Sequence, residues 1–188
     1  MKLILVKHSS PEIDPDVPAN RWKLSSEGRL LCASVADRLA GHAVDSVISS
    51  TEPKAVETGE LIAQTLRRPF QRVEGLHEHD RNDVEYFHDS VDFDNAVHSL
   101  FDNPNELVFG RETANEAHQR FSEALESFLR GYKGRSLAVV AHGTVISLFA
   151  ARNTGTDPYA LWKRLNTRSE STRLNSSHVK RSRMPSSA

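Results

Sequence analysis

Three short apolar runs, each followed by a stretch with helical periodicity, constrain the fold of this chain more than any other feature. The strands that these runs predict span residues 2–7, 44–49 and 137–141. Short runs without alternating polar residues are typical of strands that are buried on both faces. Because they alternate with helices, they predict βαβ units. We expect a three-layer α/β sandwich, in which helices cover both faces of a mostly parallel sheet.

The remaining elements follow from caps and periodicity. Ser25 or Ser26 can begin a helix to about residue 40, Thr51 can cap the next helix, and Thr113 with Glu116 forms a T-x-x-E capping box. Residues 70–73 predict a short strand. Residues 79–109 contain one possible helix, and we interpret them as a lid-like insertion. Three phenylalanines there fit a packing cluster better than a ligand slot: Phe87, Phe93 and Phe101.

Composition narrows the classes of partner. The 188 residues carry a net charge of −1, so nothing overall favours nucleic acid or an anionic membrane. No apolar run is long enough to span a bilayer, and MKLILV is too short for a secretory signal. We therefore expect a cytoplasmic protein with one α/β domain over residues 1–167.

Residues 168–188 differ from the rest of the chain. They hold five lysines or arginines, one acid and seven serines, and we expect a disordered basic tail. One interpretation is a basic arm for nucleic acid or acidic lipid. We favour another, because TRLNSSHVKRSRMPSSA resembles the conceptual translation of a common sequencing adapter. The tail would then be non-native, and the sheet would lack its last strand.

Charged and polar side chains lie where three of the predicted strands end. Lys7 and His8 follow the first strand, Lys54 comes shortly after the second, and His142 follows the strand LAVVA. The carboxyl ends of parallel strands share one edge of the sheet, so these side chains should converge. A lysine in the first turn of a helix opposes the helix dipole, which suggests a negative ligand nearby. The cluster predicts a phosphate site.

A neutral imidazole in such a site can attack phosphorus, because one of its nitrogens is unprotonated near neutral pH. The leaving alkoxide then needs a proton, and the attacking water later needs a base. One carboxyl group can serve both steps, and the candidate is Glu78 in GLHEHD. Two histidines flank it, but no third ligand has recognisable spacing. We therefore expect no metal and no other cofactor.

Five stretches in order resemble the histidine phosphatase superfamily, also called the phosphoglycerate mutase-like family. LILVKHSS resembles the family's apolar strand followed by Arg-His-Gly, and WKLSSEGR resembles W-x-L-T-x-x-G-x. SSTEPKAVETGELIA resembles S-S-x-x-x-R-A-x-x-T-A. The triplet at 76–78 resembles the L-x-E that carries the acid, and VVAHGTVISLF resembles the second-histidine motif. The resemblance covers about residues 1–165.

The resemblance implies a metal-independent phosphomonoesterase of the small phosphatase branch, acting on a small phosphorylated metabolite. It implies a phosphohistidine on His8, Glu78 as general acid and then base, and phosphoryl oxygens held by His142, Lys7 and Lys54. Further candidates are Ser9 and Gly143 for phosphate binding, and His79 and Arg81 for the substrate rim. A phosphoglycerate-type mutase is an alternative that ranks lower, because such mutases usually carry longer insertions.

Departures from the family pattern support a third hypothesis. Both family arginines are lysines here, at positions 7 and 54, and Ser9 stands where the family has glycine. Lysine keeps the charge but lacks the planar fork that grips phosphate. Asp14 replaces the usual asparagine and would add a negative charge near the anion site unless it faces away. The chain could therefore be a phosphoryl-ligand binding protein with weakened catalysis.

Overall fold

The computed structural model describes residues 1–166 and the backbone of residues 175–177. The strands are β1 (Lys2–Lys7), β2 (Ser46–Ser49), β3 (Phe70–Arg72), β4 (Ser136–Ala141) and β5 (Asn175–Ser177). They form one sheet in the order β3-β2-β4-β1-β5, in which β1 to β4 are parallel and β5 is antiparallel to β1. The predicted α/β fold with a mostly parallel sheet is confirmed.

Helices cover both faces of this sheet. They are α1 (Ser26–Ala40), α2 (Pro53–Leu66), α3 (Ser90–Asp102), α4 (Ala114–Gly131), α5 (Gly143–Thr154) and α6 (Pro158–Asn166). Successive strand residues point to opposite faces. Ile4 and Val6 therefore pack with α1 and α2, while Leu3 and Leu5 pack with the core formed by α3 to α6. Among the described residues, no helix is long and apolar enough to cross a membrane.

The helix starts follow the predicted caps, with one exception. The Ser25 hydroxyl accepts the Gly28 N–H at 2.9 Å, and both bonds of the Thr113–Glu116 capping box are present. At α2, however, the N-cap residue is Glu52 rather than the predicted Thr51, and the Glu52 side chain makes no cap hydrogen bond. That carboxylate is turned toward the carboxyl edge of the sheet, where other groups bind it.

The segment at 79–109 is more ordered than the sequence indicated. It contains the 13-residue helix α3, which Asp89 caps by accepting the Val91 N–H. Val97 and Leu100 of α3 are buried in the core on the α4–α5 side of the sheet. The helical half of this segment is therefore part of the hydrophobic core, and only the stretch before it is irregular.

The expected absence of a last strand is corrected by β5. Its backbone pairs with Leu3, Ile4 and Leu5 of β1, so that edge of the sheet has an antiparallel neighbour over three residues. Ladder hydrogen bonds join backbone groups, so a serine-rich stretch can form them. The rest of the predicted disordered tail, and its interpretation as adapter translation, lie outside the described residues.

Close packing of α1 on the loop after β1 requires glycine. A Cβ atom on Gly28 would lie 2.1 Å from the carbonyl oxygen of Ser10, far inside contact distance. The Ser10 carbonyl also accepts the Ser25 N–H at 3.1 Å, so the helix start and the loop after β1 form one unit.

We predict that Gly28→Ala lowers the free energy of unfolding by about 1–3 kcal/mol, because the loop after β1 must move away from the new methyl group. Urea denaturation measures this change. Gly131→Ala is the matched control, since nothing lies within 4 Å of its Cβ position and alanine is the better helix former there. Equal stability of the two variants would contradict the close approach.

Candidate active site

The histidines that follow β1 and β4 meet at the carboxyl edge of the sheet. Their ring centroids are 5.1 Å apart and the ring planes are inclined by 59°. The two strands are direct neighbours, with Lys7 opposite Ala141, and the His8 N–H donates to the Ala141 carbonyl at 2.9 Å. Strand pairing thus brings His8 and His142 together, although 133 residues separate them along the chain.

A backbone contact fixes the tautomer of His8. Its Nδ1 lies 2.8 Å from the carbonyl oxygen of Ser9. A carbonyl can only accept, so Nδ1 carries the proton and Nε2 keeps its lone pair. Burial, followed by the charges of His142, Lys54 and Lys7, lowers the pKa of His8 well below its usual range. His8 is therefore a neutral imidazole with a nucleophilic Nε2.

The second imidazole is fully buried, and one of its ring nitrogens has no hydrogen-bond partner among residues 1–166. His142 Nε2 lies 2.6 Å from the Ser50 hydroxyl, which itself accepts the Glu52 N–H at 3.3 Å. The Ser50 hydroxyl can donate to Nε2, and in that tautomer the neutral ring carries its proton on Nδ1. Burial and then the Lys54 charge lower the pKa of His142. Within the described part of the chain Nδ1 has no hydrogen-bond partner, which is costly unless a ligand accepts from it.

The Glu78 carboxylate caps the amino terminus of α5. Its Oε2 accepts the Thr144 N–H at 3.1 Å, and its Oε1 accepts the N–H groups of Val145 at 3.2 Å and His79 at 3.0 Å. Burial alone would raise the pKa of Glu78, but the adjacent His142 and the Thr144 N–H outweigh it and lower the pKa. In this state Glu78 is ionised and is a base.

An arginine of α4 holds the loop that carries Glu78. The Arg120 guanidinium donates to the carbonyls of Gly75 at 2.8 Å, His77 at 3.0 Å and Glu78 at 3.1 Å. It also pairs with Glu112 at 2.5 Å. Sequence reasoning missed Arg120, because one arginine on the polar side of an amphipathic helix carries no local signal.

Lys54 is buried in an ion pair that the sequence analysis also missed. Its side chain is 6% exposed, and Nζ lies 2.7 Å from Glu52 Oε2 and 2.5 Å from the Ala19 carbonyl. The other carboxylate oxygen of Glu52 accepts the Glu78 N–H at 2.8 Å and lies 3.6 Å from His142 Nε2. Glu52 thus links Lys54 to both neighbouring site residues. The sequence signal for this ion pair was Glu52 itself, an acid two positions before Lys54.

Lys7 reaches across the sheet edge to α6. Its Nζ donates to Asn166 Oδ1 at 2.6 Å. Burial lowers the pKa of Lys7 to about 8, and the Lys54 charge adds to this while Glu78 opposes it. A Cβ on Gly143 would lie 3.2 Å from Asn166 Nδ2, so glycine at the start of α5 leaves room for that contact. Asn166 was not among the predicted site residues.

The two predicted rim residues differ in placement. His79 is 3% exposed, and its Nε2 lies 2.6 Å from the Glu112 carbonyl, so its ring supports the loop. Arg81 is half-buried, with its guanidinium 4.5 Å from the centroid of the Phe93 ring. Both line a cavity of about 230 Å³ that Lys54 and Glu78 also line.

Ser9 and Asp14 are two further positions that depart from the family pattern near the expected phosphate site. Ser9 is buried, and its N–H donates to Thr58 Oγ1 at 3.1 Å, which ties the loop after β1 to α2. The Asp14 carboxylate is exposed and accepts the Asp16 N–H at 3.0 Å. It therefore faces away and adds no charge to the site. Within residues 1–166, no three or more His, Cys, Asp or Glu side chains are grouped to hold a metal ion.

Solved structures share this fold at low sequence identity. YhfR from Bacillus stearothermophilus is 24% identical with a TM-score of 0.68, over 86% of this chain and 83% of that chain. The alpha-ribazole phosphatase from Shigella flexneri is 20% identical with a TM-score of 0.65, over 86% and 84%. The mycobacterial glucosyl-3-phosphoglycerate phosphatase is 18% identical with a TM-score of 0.67, over 93% and 96%. These likenesses show the fold. Comparison with curated protein sequences gave no significant match.

A family model identifies the chain more specifically. The model of the histidine phosphatase superfamily, branch 1, matches residues 4–183. The matched range includes both histidines of the sheet edge and the Glu78 loop, and it extends into the predicted tail. The chain belongs to branch 1 of the histidine phosphatase superfamily.

Proposed function

We propose that the protein is a metal-independent phosphomonoesterase that acts on a small phosphorylated metabolite through a phosphohistidine on His8. The observation that carries this proposal is the state of His8, a neutral ring whose Nδ1–H is held by the Ser9 carbonyl and whose Nε2 lone pair is free. Membership of the family supports it, as do structural relatives that are named phosphatases.

The phosphate dianion binds between the two imidazoles. In the tautomer with its proton on Nδ1, the buried His142 ring donates to a phosphoryl oxygen, and Lys7 and Lys54 supply positive charge. A ligand oxygen that accepts from His142 removes the cost of that unpaired buried donor. The anion also lies near the amino terminus of α5, where the helix dipole favours negative charge.

In the first chemical step, the Nε2 lone pair of His8 attacks phosphorus and the bond to the ester oxygen breaks. The ring becomes a cation that the Ser9 carbonyl stabilises through Nδ1–H. The leaving oxygen takes a proton from Glu78, which must therefore be protonated when substrate is bound. Two negative charges of the substrate beside the carboxylate raise its pKa and favour that proton.

In the second step, Glu78 has become a carboxylate and removes a proton from water. The water oxygen attacks phosphorus, the N–P bond breaks, and its electron pair returns to Nε2 of His8. Phosphate and a neutral His8 result. The α5 N–H groups that bind the Glu78 carboxylate keep it oriented for this step.

One observation favours a second candidate function, a phosphoryl-ligand binding protein with weakened catalysis. Both lysines already have partners inside the protein, because Lys54 binds Glu52 and Lys7 binds Asn166. An incoming phosphate must compete with these partners. If this candidate is right, the double variant Lys7→Arg/Lys54→Arg raises turnover sharply. High turnover of the unaltered protein would contradict it. A mutase would isomerise phosphoglycerate rather than release phosphate.

We predict that His8→Ala lowers phosphate release from phenyl phosphate by at least about a thousandfold, because it removes the nucleophile. A chelator should leave the activity of the unaltered protein unchanged. His98→Ala is the control, since His98 contacts Asp102 on the surface of α3. Incubation with a labelled phosphodonor should give an acid-labile, alkali-stable adduct that His8→Ala lacks. Activity that survives His8→Ala would exclude the proposed mechanism.

Phosphate affinity should fall as the pH rises through the pKa of Lys7, about 8 in the free protein. Lys7 is charged below that pKa and attracts the dianion, and it becomes neutral above it. Competitive inhibition by inorganic phosphate, measured from about pH 7 to about pH 9, tests this. Arginine at position 7 stays charged over this pH range, so Lys7→Arg should abolish the decline in phosphate affinity. An equally steep decline in Lys7→Arg would assign it to another group.

Glu52→Gln should tighten the binding of inorganic phosphate by about fivefold, because it removes a negative charge close to the dianion. Glutamine keeps an oxygen for the Glu78 N–H, so the loop should stay in place. Glu60→Gln is the control in the same helix, where Glu60 pairs with Arg72 at the surface. Weaker phosphate binding in Glu52→Gln would mean that Glu52 mainly positions Lys54.

A further inference from the structure

A second cavity lies beside the 230 Å³ cavity that Lys54 and Glu78 line, and it differs from that cavity in chemistry. Its volume is about 410 Å³. Most of its lining is aromatic or aliphatic, including Val17, Trp22, Val84, Tyr86, Phe87 and Phe93. Ala19, Arg81 and Asn82 line both cavities, so the two cavities are adjacent. Of the three phenylalanines expected to pack together, Phe87 and Phe93 contact each other with ring centroids 5.5 Å apart and line this cavity, whereas Phe101 is buried in the core.

Trp22 forms a wall of the second cavity near Lys54. Its Nε1 donates to the carbonyls of Asp14 and Val17, both at 2.9 Å, so the indole has no free polar group. Lys54 Nζ lies 6.0 Å from the centroid of this ring, and the Tyr86 ring is also 6.0 Å from it. A phosphate held near Lys54 therefore has the apolar surface of Trp22 directly beside it.

Arg81 lies at the junction and presents a flat cation. Its guanidinium covers the Phe93 ring, and burial is the main cause that lowers its pKa. Glu78 and Glu52 are within electrostatic range, but no residue in 1–166 accepts a hydrogen bond from the guanidinium. Its N–H donors are thus available to a group that spans the two cavities.

We propose that the second cavity binds the alcohol part of the substrate, and that this part is an uncharged planar aromatic group. The inference rests on the proposed phosphatase function and extends it to a substrate class. Ring faces and edges on several sides of the cavity favour an aromatic guest, which gains more than its buried area alone would give. A polyhydroxy alcohol would lose hydration against these walls without recovering its hydrogen bonds.

The charges around the cavity argue against a second anionic group on the alcohol part. Asp16 and Glu85 line the cavity and are exposed to solvent, so negative charge lies at its mouth. Arg81 is the cation on the inner side, next to the phosphate site. A guest with its phosphate inward and a neutral ring outward matches this distribution.

The test compares three phosphate esters with alkanol leaving groups, so that leaving-group chemistry is similar. They are 2-(1-naphthyl)ethyl phosphate, n-hexyl phosphate and glycerol 1-phosphate. We expect kcat/KM for the naphthyl ester to exceed that for glycerol 1-phosphate by at least about tenfold, mainly through KM. Equal values would overturn the proposal. A hexyl ester that equals or exceeds the naphthyl ester would also overturn it, because the cavity would then select aliphatic chains.

A charged substitution at the cavity mouth provides the structural control. Ile13 lines the cavity and is 55% exposed, so Ile13→Asp should fold normally. It should lower kcat/KM for the naphthyl ester at least about fivefold while changing glycerol 1-phosphate by less than about twofold. Leu107→Asp, at a position 61% exposed that does not line the cavity, should change neither. An equal fall for both esters in Ile13→Asp would contradict the subsite.

The two proposals fail differently. If the protein releases phosphate from none of the three esters, the proposed function fails. Calorimetric binding of the same esters to the unaltered protein then still tests the cavity. Tighter binding of the naphthyl ester, lost in Ile13→Asp, supports an aromatic subsite, and equal binding overturns it.

Discussion

The pairing of β1 with β4 is the constraint on which the candidate site depends. Two strands far apart in sequence lie side by side in parallel, and both end at the same level with a histidine. Because backbone hydrogen bonds set this register, the separation of the two imidazoles does not depend on flexible side chains. The loop after β1 then rests on Gly28, and the Glu78 loop is held by Arg120.

Buried charges around these imidazoles are balanced in pairs. Lys54 is matched by Glu52, and the Glu78 carboxylate by backbone N–H groups of α5, so neither charge is isolated in the interior. Lys7 is matched by a neutral amide instead, and burial lowers its pKa. The compact ammonium of Lys54 binds one oxygen of Glu52, and the other oxygen accepts the Glu78 N–H.

The segment at 79–109 contributes to two parts of this structure. Its helical part, α3, buries Val97 and Leu100 and so belongs to the core. Its irregular part supplies one side of the apolar cavity, with Tyr86 and Phe87 opposite Trp22. Because α3 is anchored in the core, the irregular stretch before it can hold Tyr86 and Phe87 in place beside the cavity that Lys54 and Glu78 line.

The sequence by itself determined the layered α/β fold, the caps of α1 and α4, and the convergence of the two strand-end histidines. Apolar runs and capping motifs are local patterns, and parallel strands place their carboxyl ends together whatever the detailed packing. Only the tertiary structure decided what each charged group does. Besides their local partners, Glu52 and Arg120 bind groups 26 to 45 residues away, and Asn166 binds Lys7, 159 residues away; no local pattern encodes these long-range contacts. The tautomers and lowered pKa values of His8 and His142 depend likewise on burial and on neighbours that arrive from other strands and helices.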